Sequence, residues 1–206
     1  VNAVACVYGV NDDGSLAVCF GETGSKGKPA RSDHADRPQN IICQQESSNP
    51  LQSAVNWASA NKKNRIYLDK GTYTNDKVIT SHEKYAFHIP SDIKLIGVTD
   101  KTGDPLSRLT PHSELIQNYD LAIVLSDSSS NSYYGPVNNL YLQNILLDGG
   151  LITNVGIWTT GGKGNKYVNM HASNLKISAL ILGRCNSYAR DPSDTNGCMI
   201  YWAENF

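Results

Sequence analysis

The chain has 206 residues, of which 40% are hydrophobic and 18% charged, and its formal net charge is −1. This composition is typical of a folded protein with one substantial core, and it excludes an intrinsically disordered chain. The near-neutral charge and the scattered Lys and Arg residues argue against a nucleic-acid-binding protein. No apolar run is long enough for a membrane span. The chain begins with Val1, which predicts either a removed leader or an excised fragment.

The first 20 residues predict a β-hairpin. Residues 4–8 and 16–20 are strand-like, and the segment 11–14 (NDDG) between them is typical of a turn. A turn centred between residues 12 and 13 places Cys6 directly opposite Cys19, close enough for a disulfide. This pairing favours an oxidising compartment, so we expect a secreted, extracellular or periplasmic protein. Free buried thiols in a cytosolic protein are the alternative.

A second predicted disulfide joins Cys185 to Cys198, which flank the polar loop 186–197. Cys43 is left over, either free or in place of a partner in one of these pairs. No cysteine spacing resembles a zinc site. The sequence therefore favours a covalent frame of two disulfides, with the role of Cys43 open.

The chain divides into an N-terminal part, 1–46, and a main part, 47–206. The first is the hairpin followed by an irregular segment rich in Gly, Pro, Lys and Asp. The second opens with a helix: Asn49 is a good N-cap, Pro50 fits the first helical position, and apolar residues follow at helical spacing. We expect this helix to end near residues 61–64.

Short strands at short intervals follow, and no second helix pattern is present. They are predicted at 65–68, 87–89, 93–96, 114–116, 122–125, 140–147, 156–159, 168–170, 175–177, 180–182 and 199–202. The segments 144–147 and 174–177 share an Asn-apolar-x-apolar pattern at an offset of 30, a period typical of solenoid proteins. A β-sandwich with irregular loops is the alternative.

Four segments, taken in order, resemble the pectate-lyase-like parallel β-helix superfamily. Residues 51–73 (LQSAVNWASANKKNRIYLDKGTY) are similar to its entry module, and 89–97 (IPSDIKLIG) to the next strand. Residues 144–149 (NILLDG) and 174–177 (NLKI) resemble later coils. The resemblance implies an all-β fold: a right-handed parallel β-helix with an N-terminal capping α-helix, preceded here by a β-hairpin. Because nothing in the sequence caps the far end, we expect the β-helix to continue beyond residue 206, with a downstream fragment as a partner.

The resemblance also implies a substrate class. The superfamily includes polysaccharide lyases, glycoside hydrolases, epimerases, tailspikes and adhesins, so the expected partner is a polysaccharide. We expect a polysaccharide lyase or related glycan-cleaving enzyme acting on acidic polysaccharide. The alternatives are a non-catalytic adhesin or structural β-helix, or a tailspike-like depolymerase. A lyase needs a base and a cation, from Arg, Lys or Ca²⁺, to neutralise the uronate carboxylate. The cofactor is therefore unknown, with Ca²⁺ as one candidate, and the polygalacturonase hydrolase motifs are absent.

The candidate catalytic residues are polar groups on predicted strands, turns and the long loop after residue 182. They are Asp148, His171, Arg184, Arg190 and Asp191. Asp148 precedes a glycine, so a turn-forming role is favoured over catalysis. For His171 a surface or packing role is favoured in the same way.

The candidate substrate-binding residues are cations in a predicted turn and aromatic side chains able to stack on sugar rings. They are Lys163, Lys166, Trp158, Tyr133 and Tyr134. Core packing is the alternative for Trp158, because it lies on a predicted strand.

Overall fold

The computed structural model describes residues 6–10, 16–21, 45–75, 85–111, 122–126, 137–151, 153, 155–159, 163–176 and 178–182. This part of the chain is mostly β, with one helix, α1 (Pro50–Ala60). The strands are β1 (Cys6–Val10), β2 (Leu16–Gly21), β3 (Gln45–Glu46), β4 (Arg65–Leu68), β5 (Gly71–Thr74), β6 (Tyr85–His88), β7 (Lys94–Ile96), β8 (Ser107–Thr110), β9 (Ala122–Ser126), β10 (Tyr141–Asp148), β11 (Val155–Thr159), β12 (Lys166–Ser173) and β13 (Ser178–Leu182).

The helix forms as the sequence predicts. The Asn49 side chain accepts a hydrogen bond of 3.1 Å from the backbone amide of Gln52, and Pro50 occupies the first turn. The apolar side of α1, with Leu51 and Val55 at its centre, is buried against β1, β2, β4 and β6. The helix therefore closes one side of the core.

The N-terminal hairpin is continuous with the rest of the structure. β1 pairs antiparallel with both β2 and β4, so the hairpin extends the main sheet. Its apolar residues Val7, Val18 and Phe20 join the same buried cluster as Leu51. Gly9 is required here, because a Cβ at this position would lie 2.4 Å from the Trp57 ring of α1.

The predicted hairpin register is wrong. Cys6 lies opposite Gly21, and Cys19 lies opposite Tyr8. The innermost described pair, Val10 and Leu16, is already one residue away from the predicted register, and a register shift between Gly9 and Val10 adds a second residue. Cys6 and Cys19 are therefore diagonal rather than directly opposite. Cys19 is disulfide-bonded; its partner side chain is outside the described residues, so the identity of the pair stays a prediction.

The strands after residue 64 pair in parallel. A nine-stranded sheet has the order β3-β2-β1-β4-β7-β10-β8-β5, with β12 also on β10, and a four-stranded sheet has the order β13-β11-β9-β6. Where both partners are described residues after 64, the strand pairs are parallel and the antiparallel contact is one isolated bridge, between Thr99 and Pro105. The prediction of parallel sheets is therefore confirmed.

The long strand β10 pairs with two different strands on one side and with the long strand β12 on the other. The first half of β10 pairs with β7, and its second half pairs with β8. Between the halves, Asn144 has φ 57° and Asn169 of β12 has φ 49°, a left-handed backbone conformation that Asn tolerates better than most residues. These two residues bend the strands, so the long sheet has two differently facing parts.

The predicted 30-residue period is wrong. Tyr141 pairs with Lys166 and Ile145 with Met170, an offset of 25. Asn144 is therefore matched with Asn169 and not with Asn174. Residues 175–176 lie between strands, so the strand predicted at 175–177 is also wrong as far as it is described. Asn174, with φ 54°, follows the end of β12.

Candidate functional site

The outward face of the first half of the long sheet carries an unusual set of side chains. One residue on each of β4, β7, β10 and β12 points into the core, and these four residues lie in register. They are Ile66, Leu95 and Leu142, which are buried, and Tyr167, which is largely buried. The residues before and after them on each strand therefore point outward, because side chains alternate along a strand.

Three cations and one aromatic residue lie in register on this outward face. We call them the cationic row: Arg65, Lys94, Tyr141 and Lys166, on β4, β7, β10 and β12 respectively. Neighbouring members are separated by one strand spacing, about 4.8 Å, so the row is about 14 Å long. All four side chains are at least partly exposed to solvent.

Within the part of the chain that the structure describes, the cationic row has no acidic counterpart. Among the described residues, none of its three cations has a carboxylate within salt-bridge distance. Asp92 lies two positions before Lys94 in the chain, and its carboxylate accepts a hydrogen bond of 2.9 Å from the Asn139 side chain. Arg65 and Lys94 are direct cross-strand neighbours, an arrangement of like charges that costs stability.

A second row lies beside the cationic row on the same face. We call it the mixed row: Tyr67, Ile96, Gln143 and Val168. It carries no charge and is partly exposed, with Val168 38% accessible. The Tyr141 hydroxyl donates a hydrogen bond of 2.9 Å to Oε1 of Gln143, two residues further along β10. This bond ties the Tyr141 ring to the mixed row.

Asp148 is part of a separate cluster on the second half of the sheet. Its Oδ1 accepts hydrogen bonds from the Gly150 amide at 2.9 Å and from the Asn174 side chain at 3.0 Å. Its Oδ2 is hydrogen-bonded and ion-paired with the Arg108 guanidinium. Asp148 is 5% exposed. Burial acts to raise the pKa of Asp148, but the bonds from Asn174, Gly150 and Arg108 outweigh it and hold the pKa below its ordinary value.

This geometry favours a structural role for Asp148. The bond to the Gly150 amide, two residues on, defines an Asx-turn, as expected for Asp before Gly. A general acid needs a raised pKa, whereas that of Asp148 is lowered. A metal ion would have to displace Arg108 from its carboxylate. Ca²⁺ therefore does not fit at this position, and the described residues contain no cluster of three or more potential metal ligands.

His171 lies on the outward face of β12, opposite Leu146 of β10. On the other side of β10, Leu146 lies opposite Arg108 of β8, so His171 and Arg108 belong to the same cross-strand row. Its side chain is exposed. The bend at Asn169 separates His171 from Lys166 of the cationic row. His171 is thus accessible to a ligand, while Arg108 in the same row is held by Asp148.

The predicted sugar-binding residues occupy different positions. Lys166 is the first residue of β12 rather than part of a turn, which corrects the prediction, and it belongs to the cationic row. Lys163 is exposed in the preceding turn, where its backbone amide donates to the Asn138 side chain at 2.9 Å. Trp158 lies half-buried on β11 in the other sheet. Only Lys166 contributes to the cationic row.

Several predicted features lie outside the described residues. They are Arg184, Arg190, Asp191, Tyr133, Tyr134, Cys43, Cys185, Cys198, the hairpin turn 11–14 and the strands 114–116 and 199–202.

Arg65, Lys94 and Tyr141 were missed by the sequence analysis. The available signal was the position of each residue directly before a buried strand residue, in Arg65-Ile66, Lys94-Leu95 and Tyr141-Leu142. Without the strand register, nothing in the sequence shows that these positions are neighbours.

No known protein family, curated protein or solved structure matches this chain. Among the described residues, the one helix is too short and too polar to cross a membrane. The features that distinguish the described part of this chain are therefore those of its own structure: mostly β strands in parallel sheets, and an outward row of cations that form no ion pair with a described carboxylate.

Proposed function

We propose that this chain is a secreted, carbohydrate-active protein that binds an acidic polysaccharide on the cationic row. We also propose that its strands form a right-handed parallel β-helix like that of the pectate-lyase-like superfamily. The parallel pairing and the chain order of the paired strands support the second proposal: β4, β7, β10 and β12 are joined in sequence order, as are β6, β9, β11 and β13. The bends at Asn144 and Asn169 divide each repeat into three strands, as a β-helix requires.

The observation that carries the binding proposal is the row of unpaired cations. Like charges in register on neighbouring strands are unfavourable, and natural sheets usually intersperse the two signs. An anionic polymer removes this repulsion and contacts several cations at once. The partly apolar mixed row beside it suits the C–H faces of sugar rings, as aromatic and aliphatic side chains do in sugar-binding sites.

Affinity electrophoresis tests this function. The protein is run through gels containing polygalacturonate, alginate or neutral galactan, beside a variant with Arg65→Gln, Lys94→Gln and Lys166→Gln. We expect retardation by at least one of the uronate polymers but not by galactan, and loss of retardation in the variant. Lys101→Gln, an exposed cation on the loop after β7, is the matched control and should behave as the unchanged protein. Failure of both uronate polymers to retard the protein would reject the proposal.

A polysaccharide lyase is the second candidate, favoured by the absence of a carboxylate partner on the cationic row. Such cations are free to neutralise a uronate carboxylate, which makes the C5 proton more acidic. A base for this proton is then needed, and the exposed His171 is chemically suitable, which leaves the cations of the row for the carboxylate. Incubation with uronate polymers separates the candidates: growth of ultraviolet absorbance from unsaturated product supports a lyase, and binding without turnover supports an adhesin.

A further inference from the structure

The outer edge of β12 is a free edge of the long sheet. β12 pairs with β10 on one side, and no described strand pairs with its other side. Six of its eight residues are exposed, among them Val168 at 38%. Tyr167 and Met170 pack against the core but are only partly buried. A free strand edge beside incompletely covered apolar side chains is a place where a further strand can add.

The bend in β12 also has an unused hydrogen-bond acceptor. Each bend donates to the bend before it: the side-chain amide of Asn144 reaches the backbone oxygen of Gly97, and that of Asn169 reaches Oδ1 of Asn144. Within the described part of the chain, Oδ1 of Asn169 itself accepts no hydrogen bond. An asparagine at the same place on a next strand would supply the missing donor.

One later segment of the chain repeats the sequence around these bends. In 142–145 (LQNI) and 167–170 (YVNM), the bend asparagine has an apolar or aromatic residue two positions before it and another directly after it. Three asparagines follow β13 in the chain, and Asn205 alone is flanked in this way, in 203–206 (AENF). The sequence therefore contains one candidate for the missing donor.

We propose that residues 202–206, which lie outside the described residues, bind the free edge of β12 as the next parallel strand. The open acceptor sets the register: Asn205 lies beside Asn169, and its side-chain amide donates to Oδ1 of Asn169. The connection from β11 to β12 takes six residues, 160–165, whereas 19 residues, 183–201, separate β13 from the proposed strand. The chain is therefore long enough to reach this edge.

The other residues of the segment suit the same register. Ala203 and Phe206 fall at the inward positions, where Phe206 lies beside Met170 and covers a side chain that is partly exposed at this end of the core. Trp202 and Glu204 fall at the outward positions, where large or charged side chains stay in contact with solvent. The segment contains no Gly or Pro to interrupt the backbone hydrogen bonds of a strand.

Hydrogen exchange measured by mass spectrometry on the full chain tests this pairing. The β12 amides should be protected in the unchanged protein, because the added strand shields their free edge. Asn205→Ala removes the amide donor and should speed their exchange at least about tenfold. Asn196→Ala is the matched control, since Asn196 lacks the flanking apolar residues, and it should leave exchange unchanged. Equal exchange of the α1 amides in all proteins verifies that each variant is folded.

Three results would overturn the proposal. Equal exchange of the β12 amides in the unchanged protein and in a variant that ends at Tyr201 would show that the segment does not cover this edge. If Asn205→Ala has no effect, or Asn196→Ala has an equal one, the register is wrong. Light scattering decides whose edge is bound: we expect a monomer, and a dimer that becomes a monomer in the shortened variant would place the segment on a second copy.

Discussion

The side-chain amide of Asn169 donates a hydrogen bond of 3.0 Å to the side-chain oxygen of Asn144, which precedes it by 25 residues and lies opposite it on the neighbouring strand. The same Asn169 amide also donates to the backbone oxygen of Gly103 at 2.8 Å. The side-chain amide of Asn144 donates to the backbone oxygen of Gly97 at 3.4 Å. Both residues have a left-handed backbone. The two bends are thus stacked and hydrogen-bonded to each other and to the loop after β7.

Asn169→Ala should lower the free energy of unfolding by about 2 kcal/mol, since Ala loses the hydrogen bonds and is strained at positive φ. Asn169→Gly, which loses the bonds but tolerates the backbone, should cost about 1 kcal/mol. Urea denaturation measures both. Asn64→Ala, at an exposed position of ordinary φ, is the control and should be close to neutral. Equal stabilities of the Ala and Gly variants would contradict a strained position.

Asp148→Asn should destabilise the protein by about 1–2 kcal/mol near neutral pH, because it removes the charge partner of Arg108. The pKa of Asp148 is lowered from 3.8 in the folded state. Its ionised form therefore contributes stability above the unfolded pKa, and this contribution is lost as pH falls through the folded pKa. Urea unfolding at several acidic pH values should show the two proteins converging. Asp104→Asn, on an exposed loop, serves as the control, and a constant difference at all pH values would rule out the ion pair as its cause.

Burial raises the pKa of Tyr167 to about 12 from the ordinary value of 10.0, although the nearby Thr159 hydroxyl acts to lower it. The unfolded chain releases this proton first, so the unfolding free energy should fall between about pH 10 and pH 12, by up to about 2–3 kcal/mol. Tyr167→Phe should remove this part of the slope. Its hydroxyl has no hydrogen bond of ordinary geometry within the described structure, so the substitution should cost little at neutral pH. The difference between the two unfolding curves across this range provides the measurement.

Lys94→Gln should leave the protein as stable as before or more stable by a few tenths of a kcal/mol, because it removes the repulsion from Arg65 on the next strand. Thermal unfolding at low salt measures this, and added salt should reduce the difference by screening. Lys101→Gln provides the comparison at an isolated exposed cation. A clear loss of stability in Lys94→Gln would indicate that this lysine has a structural role.

Cys19 should appear in a cross-linked peptide when the protein is digested without reduction and analysed by mass spectrometry. Cys6 stays the predicted partner, because it lies on the same face of the hairpin as Cys19, two positions along β1 from the residue opposite Cys19. Reduction should then lower the melting temperature, because the bond restrains the unfolded chain. A cross-link from Cys19 to Cys43 would reject the predicted pair while keeping the disulfide.

The features predicted well from sequence depend on local rules. The capped helix follows from Asn49, Pro50 and the apolar spacing after them, and most strands follow from short apolar runs bounded by turns. β8 was missed because Leu109 is its one strongly apolar residue. Local sequence is a weak signal for a strand whose burial comes from neighbours distant in the chain.

The register could not be predicted because the same pattern occurs twice. The segment 169–172 also has the Asn-apolar-x-apolar pattern, but it is less hydrophobic than the segment 174–177, which therefore gives the stronger strand signal. The choice between offsets of 25 and 30 depends on which Asn stacks on Asn144. That is a long-range contact, which local sequence does not reveal. The cationic row could not be predicted for the same reason, because its members are neighbours only in the correct register.

The bends in β10 and β12 also limit how this sequence can change. Because each strand is held on both sides of its central Asn, a single inserted residue cannot be absorbed by sliding: it would reverse the orientation of every side chain beyond it. Substitutions at outward positions carry no such cost, since these side chains do not fill the core. The scaffold can therefore retain its framework while its outer surface diversifies, so that a new ligand preference requires point substitutions and no rearrangement of the backbone.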